Sequence, residues 1–349
     1  MKLDGASLLI TGGTGSFGKR FVSRVLQSSK PERLMVYSRD ELKQFQMRQR
    51  LPLDRAPNLR MLIGDVRDRE RLYRVMDGVD IVVHAAAMKQ VPIAEYNPLE
   101  AIKTNVMGAA NLIDAAIDRK VGRVVALSTD KAANPVNLYG ASKLCADKLF
   151  MAANAAGLYE TRFSVVRYGN IVGSRGSVIP YFLAQRPSGR ITITDERMTR
   201  FLMRLDDGVD FVLRCIEVMQ GGELFVPKIP SVRVADLARV IAPQCEREVI
   251  GIRPGEKLHE ILIPADEAHL TVELEDSYIV QTSHSSRHGN ARLDVGNGKP
   301  CPDGFSYSSH TNPWQLGDEE IAEMVAEVEA DPDLAGLPMP TEPHFIMGG

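Results

Sequence analysis

A tyrosine and a lysine stand four residues apart in the segment YGASK, as Tyr139 and Lys143. On a helix this spacing places both side chains on one face. A phenol with a pKa of about 10 is a poor base at neutral pH, but a nearby ammonium group stabilises the phenolate. A tyrosine in this setting can accept the proton of an alcohol while a hydride leaves the same carbon. The pair therefore predicts alcohol oxidation, although YxxxK alone is a common accident and depends on the elements around it.

A glycine-rich segment, TGGTGSFG at residues 11–18, follows a short apolar run and precedes an amphipathic stretch. Gly12 allows a tight turn, Gly15 lets the backbone approach a diphosphate, and Gly18 permits close packing of a helix on a strand. A helix that begins here points its free N–H groups at the anion. The segment predicts a dinucleotide site, and its other expected contacts are Thr14, Ser16 and Phe17.

The identity of the dinucleotide depends on the end of the second predicted strand, Tyr37-Ser38-Arg39-Asp40. A ribose 2′-hydroxyl favours an acidic side chain there, whereas a 2′-phosphate favours cations. Arg39 and Lys43 can flank a phosphate and Ser38 can donate to it, so we predict NADP. Asp40 argues for NAD, unless it caps the next helix instead. Further cofactor contacts are expected from Asp65, Val66, Ala85, Ala86, Ala87, Ser128, Tyr139 and Lys143.

The elements that must position these residues are short β-branched or leucine-rich runs that alternate with amphipathic stretches. Strands are predicted at 7–11, 34–37, 60–63, 80–84, 123–128 and 163–167, and helices near 16–28, 41–49, 68–77, 97–119 and 138–156. This alternation predicts an α/β fold with a Rossmann-type, doubly wound parallel sheet. Ligands are expected at the C-terminal ends of its strands.

The pattern changes after Asn170, where loop-rich stretches are followed by predicted helices near 207–219 and 233–242. We predict an NADP-binding domain at residues 1–170 and a smaller C-terminal substrate lobe at residues 171–330. The helix near 207–219 is expected to pack back on the first domain. Residues 331–349 are predicted to be a disordered tail.

The composition excludes several classes of protein. With 42 Lys and Arg against 45 Asp and Glu, the formal net charge of −3 offers no basic surface for nucleic acid or an anionic membrane. The four cysteines lack metal-binding spacing, the N-terminus does not read as a signal peptide, and no apolar run approaches the ~18 residues of a membrane span. We therefore predict a cytoplasmic protein. We also predict that it holds no metal, because His284 and His288 share a helical spacing but have no acidic ligand partner.

Four longer segments, together with TGGTGSFG and YGASK, carry a resemblance to a known family. They read SRDELKQ at 38–44, AAAMKQVPIAEYNP at 85–98, STDKAANPVNLYGASK at 128–143 and RPGEKLHE at 253–260. The chain resembles the extended short-chain dehydrogenase/reductase family over residues 5–320, and within it the configuration-inverting UDP-N-acetylglucosamine 4,6-dehydratases. The resemblance implies a lyase with NADP as cofactor, UDP-N-acetylglucosamine as substrate, a homo-oligomer (dimer or hexamer), and a place in bacterial glycan biosynthesis of the pseudaminic acid type.

Asp130 and Lys131 are the most informative pair within this resemblance, because retaining dehydratases are known for Asp-Glu here and 4-epimerases lack both acid and base. The resemblance implies that Tyr139 removes the O4 proton and that neutral Lys131 removes the C5 proton. It also implies that protonated Asp130 donates a proton to the departing C6 hydroxyl. Thr129 and Lys143 complete the catalytic set. These roles require a lowered pKa for Lys131, toward which burial and Lys143 act, and a raised pKa for Asp130, which burial favours and the adjacent lysine opposes. The two side chains titrate as a coupled pair, and which protonation state dominates stays open from the sequence. A surface ion pair is the alternative interpretation.

Substrate contacts are expected past the predicted strands and in two later motifs. Lys89 follows the fourth strand and can meet a phosphate or a sugar oxygen, and Asn170 ends the sixth. The loop from Arg175 offers backbone amides and an apolar wall of the size of uracil. A guanidinium suits the diphosphate and a carboxylate suits a ribose diol. The complete set is Lys89, Asn170, Ser177, Val178, Ile179, Pro180, Thr199, Arg200, Arg253 and Glu256.

Two other functions remain open from the sequence. A retaining 4,6-dehydratase or a 4-epimerase of a UDP-sugar would use the same fold. A protein of a different class, a non-catalytic NADP sensor, would have no need of Tyr139 and Lys143.

Overall fold

A computed structural model of the protein describes residues 3–51, 56–154, 160–174, 177–281 and 296–331. The strands are β1 (Ser7–Thr11), β2 (Arg33–Ser38), β3 (Leu59–Ile63), β4 (Ile81–His84), β5 (Arg123–Thr129), β6 (Arg162–Tyr168), β7 (Asn170–Ile171), β8 (Arg190–Ile193), β9 (Thr199–Met203), β10 (Glu223–Pro227), β11 (Ser231–Arg233), β12 (Glu246–Val249), β13 (Ile261–Ile263), β14 (Thr271–Glu273), β15 (Ser277–Gln281), β16 (Lys299–Pro300) and β17 (Tyr307–Ser308). The α-helices are α1 (Ser16–Ser28), α2 (Glu41–Arg50), α3 (Arg69–Val75), α4 (Val91–Tyr96), α5 (Pro98–Ile102), α6 (Gly108–Asp118), α7 (Leu138–Ala152), α8 (Val178–Gln185), α9 (Leu205–Val218), α10 (Val234–Ile241) and α11 (Asp318–Ala330).

The main sheet has the strand order β16-β14-β15-β10-β6-β5-β4-β1-β2-β3. Strands β3, β2, β1, β4, β5, β6 and β10 run parallel, and β15, β14 and β16 add an antiparallel edge. The order reverses between β1 and β4, so a crevice opens there at the C-terminal ends of the strands. This arrangement confirms the predicted α/β, Rossmann-type fold.

The central strands read as continuous apolar runs because helices cover both faces of the sheet. Leu8, Leu9 and Ile10 of β1 are each at most 1% exposed, and each such burial stabilises the fold by about 1.5–3 kcal/mol. A strand buried on both faces cannot alternate between polar and apolar residues. The polar residues are therefore concentrated at the strand ends, where the site lies.

Helix α7 begins at a side-chain cap that also reaches a distant loop. The Asn137 side-chain oxygen accepts a hydrogen bond from the Gly140 N–H at 2.8 Å, and its amide nitrogen donates to the Gly255 carbonyl at 2.8 Å. The turn Asp130–Ala132, a 3₁₀ helix, packs against the same end of α7. A Cβ placed on Gly140 would lie 2.1 Å from the Lys131 carbonyl oxygen. Glycine at this position is what allows the turn and the helix to approach so closely.

The helix predicted over 97–119 is not continuous. Helix α5 gives way to a π-helical turn at Lys103–Met107 before α6 begins. The Asn105 side chain in this turn accepts from the Met88 N–H at 2.8 Å and donates to the Met88 carbonyl at 2.9 Å and to the Ser142 hydroxyl at 2.9 Å. The irregular turn thereby fixes the segment that follows β4, which is a common use of a π turn.

The chain after residue 170 contributes to both parts of the molecule. Strands β10, β14, β15 and β16 join the main sheet. Helix α9 packs on α1, with ion pairs Arg20–Asp206 at 3.2 Å and Arg24–Asp210 at 2.6 Å. A second apolar cluster unites α8, α10 and α11. The division into domains at 170 stays a prediction, and residues 332–349, predicted to be a tail, lie outside the described residues.

Among the helices in the described ranges, none has the length and apolar character that crossing a bilayer requires.

Candidate functional site

A cavity of about 960 Å³, here called the first cavity, opens at the C-terminal ends of β1, β2, β4 and β5. Gly12 has a φ of +66°, and a Cβ there would lie 2.7 Å from the Ala86 nitrogen. Helix α1 starts at Ser16 without a side-chain cap, so its first N–H groups remain available to an anion. The cavity therefore fits the diphosphate of a dinucleotide.

Every residue that the sequence predicts as a cofactor contact lines the first cavity. These are Gly12, Thr14, Gly15, Ser16, Phe17, Gly18, Ser38, Arg39, Asp40, Lys43, Asp65, Val66, Ala85, Ala86, Ala87, Ser128, Tyr139 and Lys143. Their contacts to a dinucleotide stay a prediction.

The cavity wall at the end of β2 is cationic. Asp40 caps α2 by accepting from the Lys43 N–H at 2.9 Å, and it pairs with the Lys43 ammonium at 3.1 Å. Arg39 is more than half exposed and lies 3.7 Å from Asp65. The sequence did not single out Lys19, Arg20 and Arg50, which line the same cavity. Because its carboxylate is engaged by the helix, Asp40 is poorly placed for a ribose hydroxyl.

Tyr139 and Lys143 lie side by side on α7 and are buried. Burial raises the pKa of Tyr139 to about 12, against the opposing effects of the Lys131 charge and a hydrogen bond to Thr129. Burial also lowers the pKa of Lys143, which the charge of Asp147 opposes. Ser128 donates to Asp147 at 2.6 Å. The phenol therefore needs the cations around it before it can act as a base.

Asp130 and Lys131 form a buried ion pair at 3.2 Å, with side chains 0% and 9% exposed. Asp130 Oδ1 also accepts from the Thr129 hydroxyl at 2.8 Å, and Lys131 Nζ donates to Asn170 Oδ1 at 3.2 Å. Asp130 Oδ2 is buried and has no hydrogen-bond partner within the described residues. The alternative of a surface ion pair is therefore wrong.

The sequence left the protonation state of Lys131 open, and the lowered pKa that the role of a base requires is not found in the structure. Burial acts in that direction, but the carboxylates of Asp130 and Glu260 outweigh it and raise the pKa of Lys131. Glu260 was not foreseen because it lies 129 positions further along the chain.

A second cavity, of about 780 Å³, lies on the other side of the Asp130–Ala132 turn. Lys131 and three of the predicted substrate residues, Arg200, Arg253 and Glu256, line it. Arg253 and Glu256 form an ion pair at 3.5 Å, and burial raises the pKa of Glu256. Lys89 instead lines the first cavity. The predicted cofactor residues and most of the predicted catalytic residues thus line the first cavity, whereas Lys131 of the Asp130–Ala132 turn lines the second cavity with three predicted substrate residues.

Other predicted substrate residues line neither cavity. Ser177 precedes α8 without a side-chain capping hydrogen bond, and Val178, Ile179 and Pro180 are buried at the start of that helix. The Thr199 hydroxyl bonds His259 Nδ1 at 2.9 Å and the Ser309 hydroxyl at 2.7 Å. Substrate contact by these residues stays a prediction. Arg175, Gly176, His284 and His288 lie outside the described residues.

The sequence analysis missed Lys257 and Glu260, although both belong to the RPGEKLHE segment. Lys257 Nζ donates to the carbonyls of Asp130, at 3.3 Å, and Ala133. Glu260 lies 3.8 Å from Lys257 and 3.8 Å from Arg200, and it is 3% exposed. A buried carboxylate is costly unless cations accompany it. Lys257 and Glu260 therefore connect the wall of the second cavity to the Asp130–Ala132 turn through hydrogen bonds and ion pairs.

Comparison with known proteins places the chain among enzymes of sugar metabolism. A model of the polysaccharide biosynthesis protein family matches residues 8–282. A UDP-N-acetylglucosamine 4,6-dehydratase (inverting) of Campylobacter jejuni subsp. jejuni serotype O:2 is 53% identical over 330 residues, which cover 93% of this chain and 98% of that protein. A UDP-glucose 4-epimerase of Rickettsia canadensis is 42% identical over 328 residues, covering 91% of this chain and 95% of that protein.

Among solved structures, the X-ray structure of Pen from Bacillus thuringiensis superimposes with a TM-score of 0.85 at 38% identity. The match covers 94% of this chain and 99% of that chain. The comparisons confirm the resemblance that the motifs suggested.

Proposed function

Because the chain belongs to the polysaccharide biosynthesis protein family, we propose that it is the lyase that removes water across C4–C6 of UDP-N-acetylglucosamine with inversion at C5. The observation that carries the proposal is the buried Asp130–Lys131 pair, which lies between the first cavity with Tyr139 and the second cavity with Arg200. An oxidation at C4 alone would need Tyr139 and Lys143 only. An acid and an amine beside them supply the proton transfers that loss of the C6 hydroxyl requires.

The residues that line the first cavity would hold a nicotinamide dinucleotide, and the bound cofactor would supply an acceptor for the C4 hydride and a donor of hydride to C6. Tyr139 removes the O4 proton, and Lys143 and Lys131 stabilise the phenolate that results. The ketone at C4 then acidifies the C5 proton. In this proposal Lys131 passes a proton to Asp130, its ion-pair partner at 3.2 Å. Asp130 donates that proton to the departing C6 hydroxyl, and the neutral Lys131 takes part in proton transfer at C5.

We assign NADP rather than NAD to the first cavity. Arg39 and Lys43 supply cations at the end of β2, and Asp40 is turned to the cap of α2. A 2′-phosphate has the charge to pair with both cations. The second cavity takes the UDP group, with Arg253 on the diphosphate and Glu256 on the ribose diol.

The product of this reaction is UDP-2-acetamido-2,6-dideoxy-β-L-arabino-hex-4-ulose, for bacterial glycan biosynthesis, and the protein acts as a homo-oligomer. The test is incubation of the purified protein with NADP and UDP-N-acetylglucosamine in deuterated water, followed by proton NMR of the product. We expect a methyl signal from C6 and the L-arabino configuration at C5.

A 4-epimerase is the second candidate, because the Rickettsia canadensis relative carries that name. The same NMR experiment separates the candidates. An epimerase gives no methyl signal, and a retaining dehydratase gives the opposite configuration at C5. Either spectrum would contradict the proposed function.

A further inference from the structure

Helix α7 carries a titratable side chain beyond Tyr139 and Lys143 that the reaction described above does not use. Asp147 follows Lys143 by four residues, as Lys143 follows Tyr139, so the three side chains occupy successive turns of one buried face. Asp147 is 1% exposed. Because a buried carboxylate is costly unless cations or hydrogen-bond donors accompany it, the neighbours of Asp147 indicate what it does.

The Asp147 carboxylate meets a hydroxyl of β5 and a cation of β6. Its Oδ2 accepts from the Ser128 hydroxyl at 2.6 Å and lies 3.6 Å from Arg167 Nη2. Arg167 is also 1% exposed, and it donates to Glu267 at 2.8 Å and to the Leu262 carbonyl at 3.0 Å. Arg167 is therefore anchored by partners other than Asp147. Holding the guanidinium in place does not by itself require a carboxylate at position 147.

Burial works against the positive charge that Lys143 must carry. This lysine is 4% exposed, and burial lowers its pKa, whereas the charge of Asp147 opposes that effect. His84 of β4 also faces Lys143, and burial together with the lysine charge lowers the pKa of His84 to about 3, so its ring stays neutral. The groups that act on Tyr139 from other elements are Lys131, Asp130, Thr129 and Tyr168. Asp147 is thus the group placed to keep Lys143 protonated.

The ionisation of Asp147 is a balance between burial and cations. Burial raises its pKa, and the charge of Glu267 acts in the same direction. Arg167, Lys143 and the hydrogen bond from Ser128 act to lower it. A cation on either side and one hydroxyl donor therefore support the charged form of this buried carboxylate.

On the basis of the proposed function, we propose that Asp147 is a positioning residue that acts through Lys143, because its carboxylate holds the buried amine in the protonated form beside the Tyr139 phenolate. Arg167 in turn supports the charge of Asp147. Charges then alternate along a buried line from the phenolate through the ammonium and the carboxylate to the guanidinium. Asp147 is not among the residues that line the first cavity, so it acts through the lysine rather than on the sugar.

Removal of the Asp147 charge has two effects on the Tyr139–Lys143 pair. A negative charge raises the proton affinity of both groups, so its removal lowers the pH at which the pair loses its first proton. The effect is stronger at Lys143, which is one helical turn away, than at Tyr139, which is two turns away. The proton that the pair retains therefore shifts from Lys143 to Tyr139, and the reactive form with phenolate and ammonium becomes rarer.

The test measures the pH dependence of hydride loss from C4 in single turnovers, followed by the absorbance of the reduced nicotinamide after mixing with NADP and UDP-N-acetylglucosamine. Asp147→Asn removes the charge and keeps an acceptor for Ser128. We expect it to lower the plateau rate about tenfold and to move the acid limb of the profile about one pH unit lower, since one pKa unit is a tenfold change in protonation. Asp147→Ser, a second neutral replacement, should show the same shift. Asp147→Glu should return the limb to within about 0.3 pH unit of the wild type.

Glu267→Gln separates this electrostatic role from a structural one. The substitution breaks the ion pair of Arg167 at 2.8 Å but leaves the Asp147 carboxylate in place, so we expect a lower melting temperature and an unchanged acid limb. The matched control is Asp114→Asn on α6, because Asp114 is an exposed carboxylate that pairs with Arg69 at 3.5 Å. Thermal melting and NADP titration of each variant report on folding independently of turnover.

The position of the acid limb decides the assignment. A limb that stays at the wild-type pH in the neutral Asp147 variants would overturn it, even with a lower rate, and so would an equal shift in Glu267→Gln. Failure of both neutral variants to fold would assign the carboxylate to stability alone and would also overturn it. A wild-type protein that forms no methyl product would instead overturn the proposed function itself.

Discussion

The two cavities of the site are assembled from the chain in different ways. The first is lined by short contiguous segments that follow β1, β2, β3, β4 and β5. The second brings the segment 91–95 together with Lys131, Arg200 and the loop 250–260. The position of a motif at the end of a strand can be predicted from the sequence, because parallel strands end at one edge of the sheet. A cavity built between distant segments has no such local signal, and its electrostatics depend on contacts that only folding creates.

Tyr139→Phe should have the largest effect, because this tyrosine lies at the inner end of the first cavity and hydride loss at C4 has no other base. We expect kcat to fall about 10⁴-fold with NADP affinity unchanged. Steady-state turnover and NADP titration measure the two quantities. Substantial remaining turnover would mean that Tyr139 is not the base for hydride loss at C4 and that the first cavity only binds the dinucleotide.

Lys131→Ala should distinguish most clearly between the role of the second cavity in turnover and the role of the first cavity in cofactor binding. We expect turnover to fall about 10³-fold, because the amine that serves C5 is lost, while NADP binding in the first cavity stays normal. Product formation and fluorescence titration of NADP provide the comparison. Unchanged turnover would remove Lys131 from the reaction.

Gly140→Ala tests the contact between the turn and α7. A Cβ at this position would lie 2.1 Å from the Lys131 carbonyl oxygen, so the turn must move. A displacement of about 1 Å lowers kcat by about 10²-fold. The control is Gly317→Ala, where the nearest atom to an added Cβ is Glu320 Oε2 at 3.7 Å. Equal kcat in the two variants would show that the turn tolerates the shift.

Lys257→Met should weaken the second cavity. The substitution leaves the carbonyls of Asp130 and Ala133 without this donor and removes one of the cations beside Glu260, which keeps Arg200. We expect kcat/KM for the sugar nucleotide to fall about tenfold, whereas Lys148→Met, which alters an exposed lysine of α7, should change nothing. Identical kinetics of the two variants would exclude a connection from the loop to the turn.

Arg39→Ala should have the smallest effect, and this effect should be confined to binding of the dinucleotide in the first cavity. Its guanidinium is more than half exposed, so its ion pair with a phosphate contributes about 1 kcal/mol, or about fivefold in NADP affinity. NAD affinity should not change. Calorimetric titration of both dinucleotides checks the difference, and an equal loss for both would contradict a 2′-phosphate at this end of β2.

Strands β1 to β6 of the main sheet were predictable because each is an apolar run followed by polar turn residues, whereas β10, β14, β15 and β16 were not among the predicted strands. The break after α5 was not predictable, because the segment 103–107 contains no proline and its π turn depends on Asn105 reaching Met88. Asp130 and Lys131 were found from their neighbours in the chain. The raised pKa of Lys131 could not be predicted because Glu260 reaches this lysine only through the folded loop.

The double use of Asn137 has a mechanical consequence. Its oxygen caps the helix that carries Tyr139, and its nitrogen holds Gly255, in the loop of Arg253 and Glu256. A force that shifts this loop is transmitted through one planar amide to the first turn of α7, without any intervening flexible bond. The position of the loop that lines the second cavity and the position of the Tyr139 phenol are thus mechanically coupled.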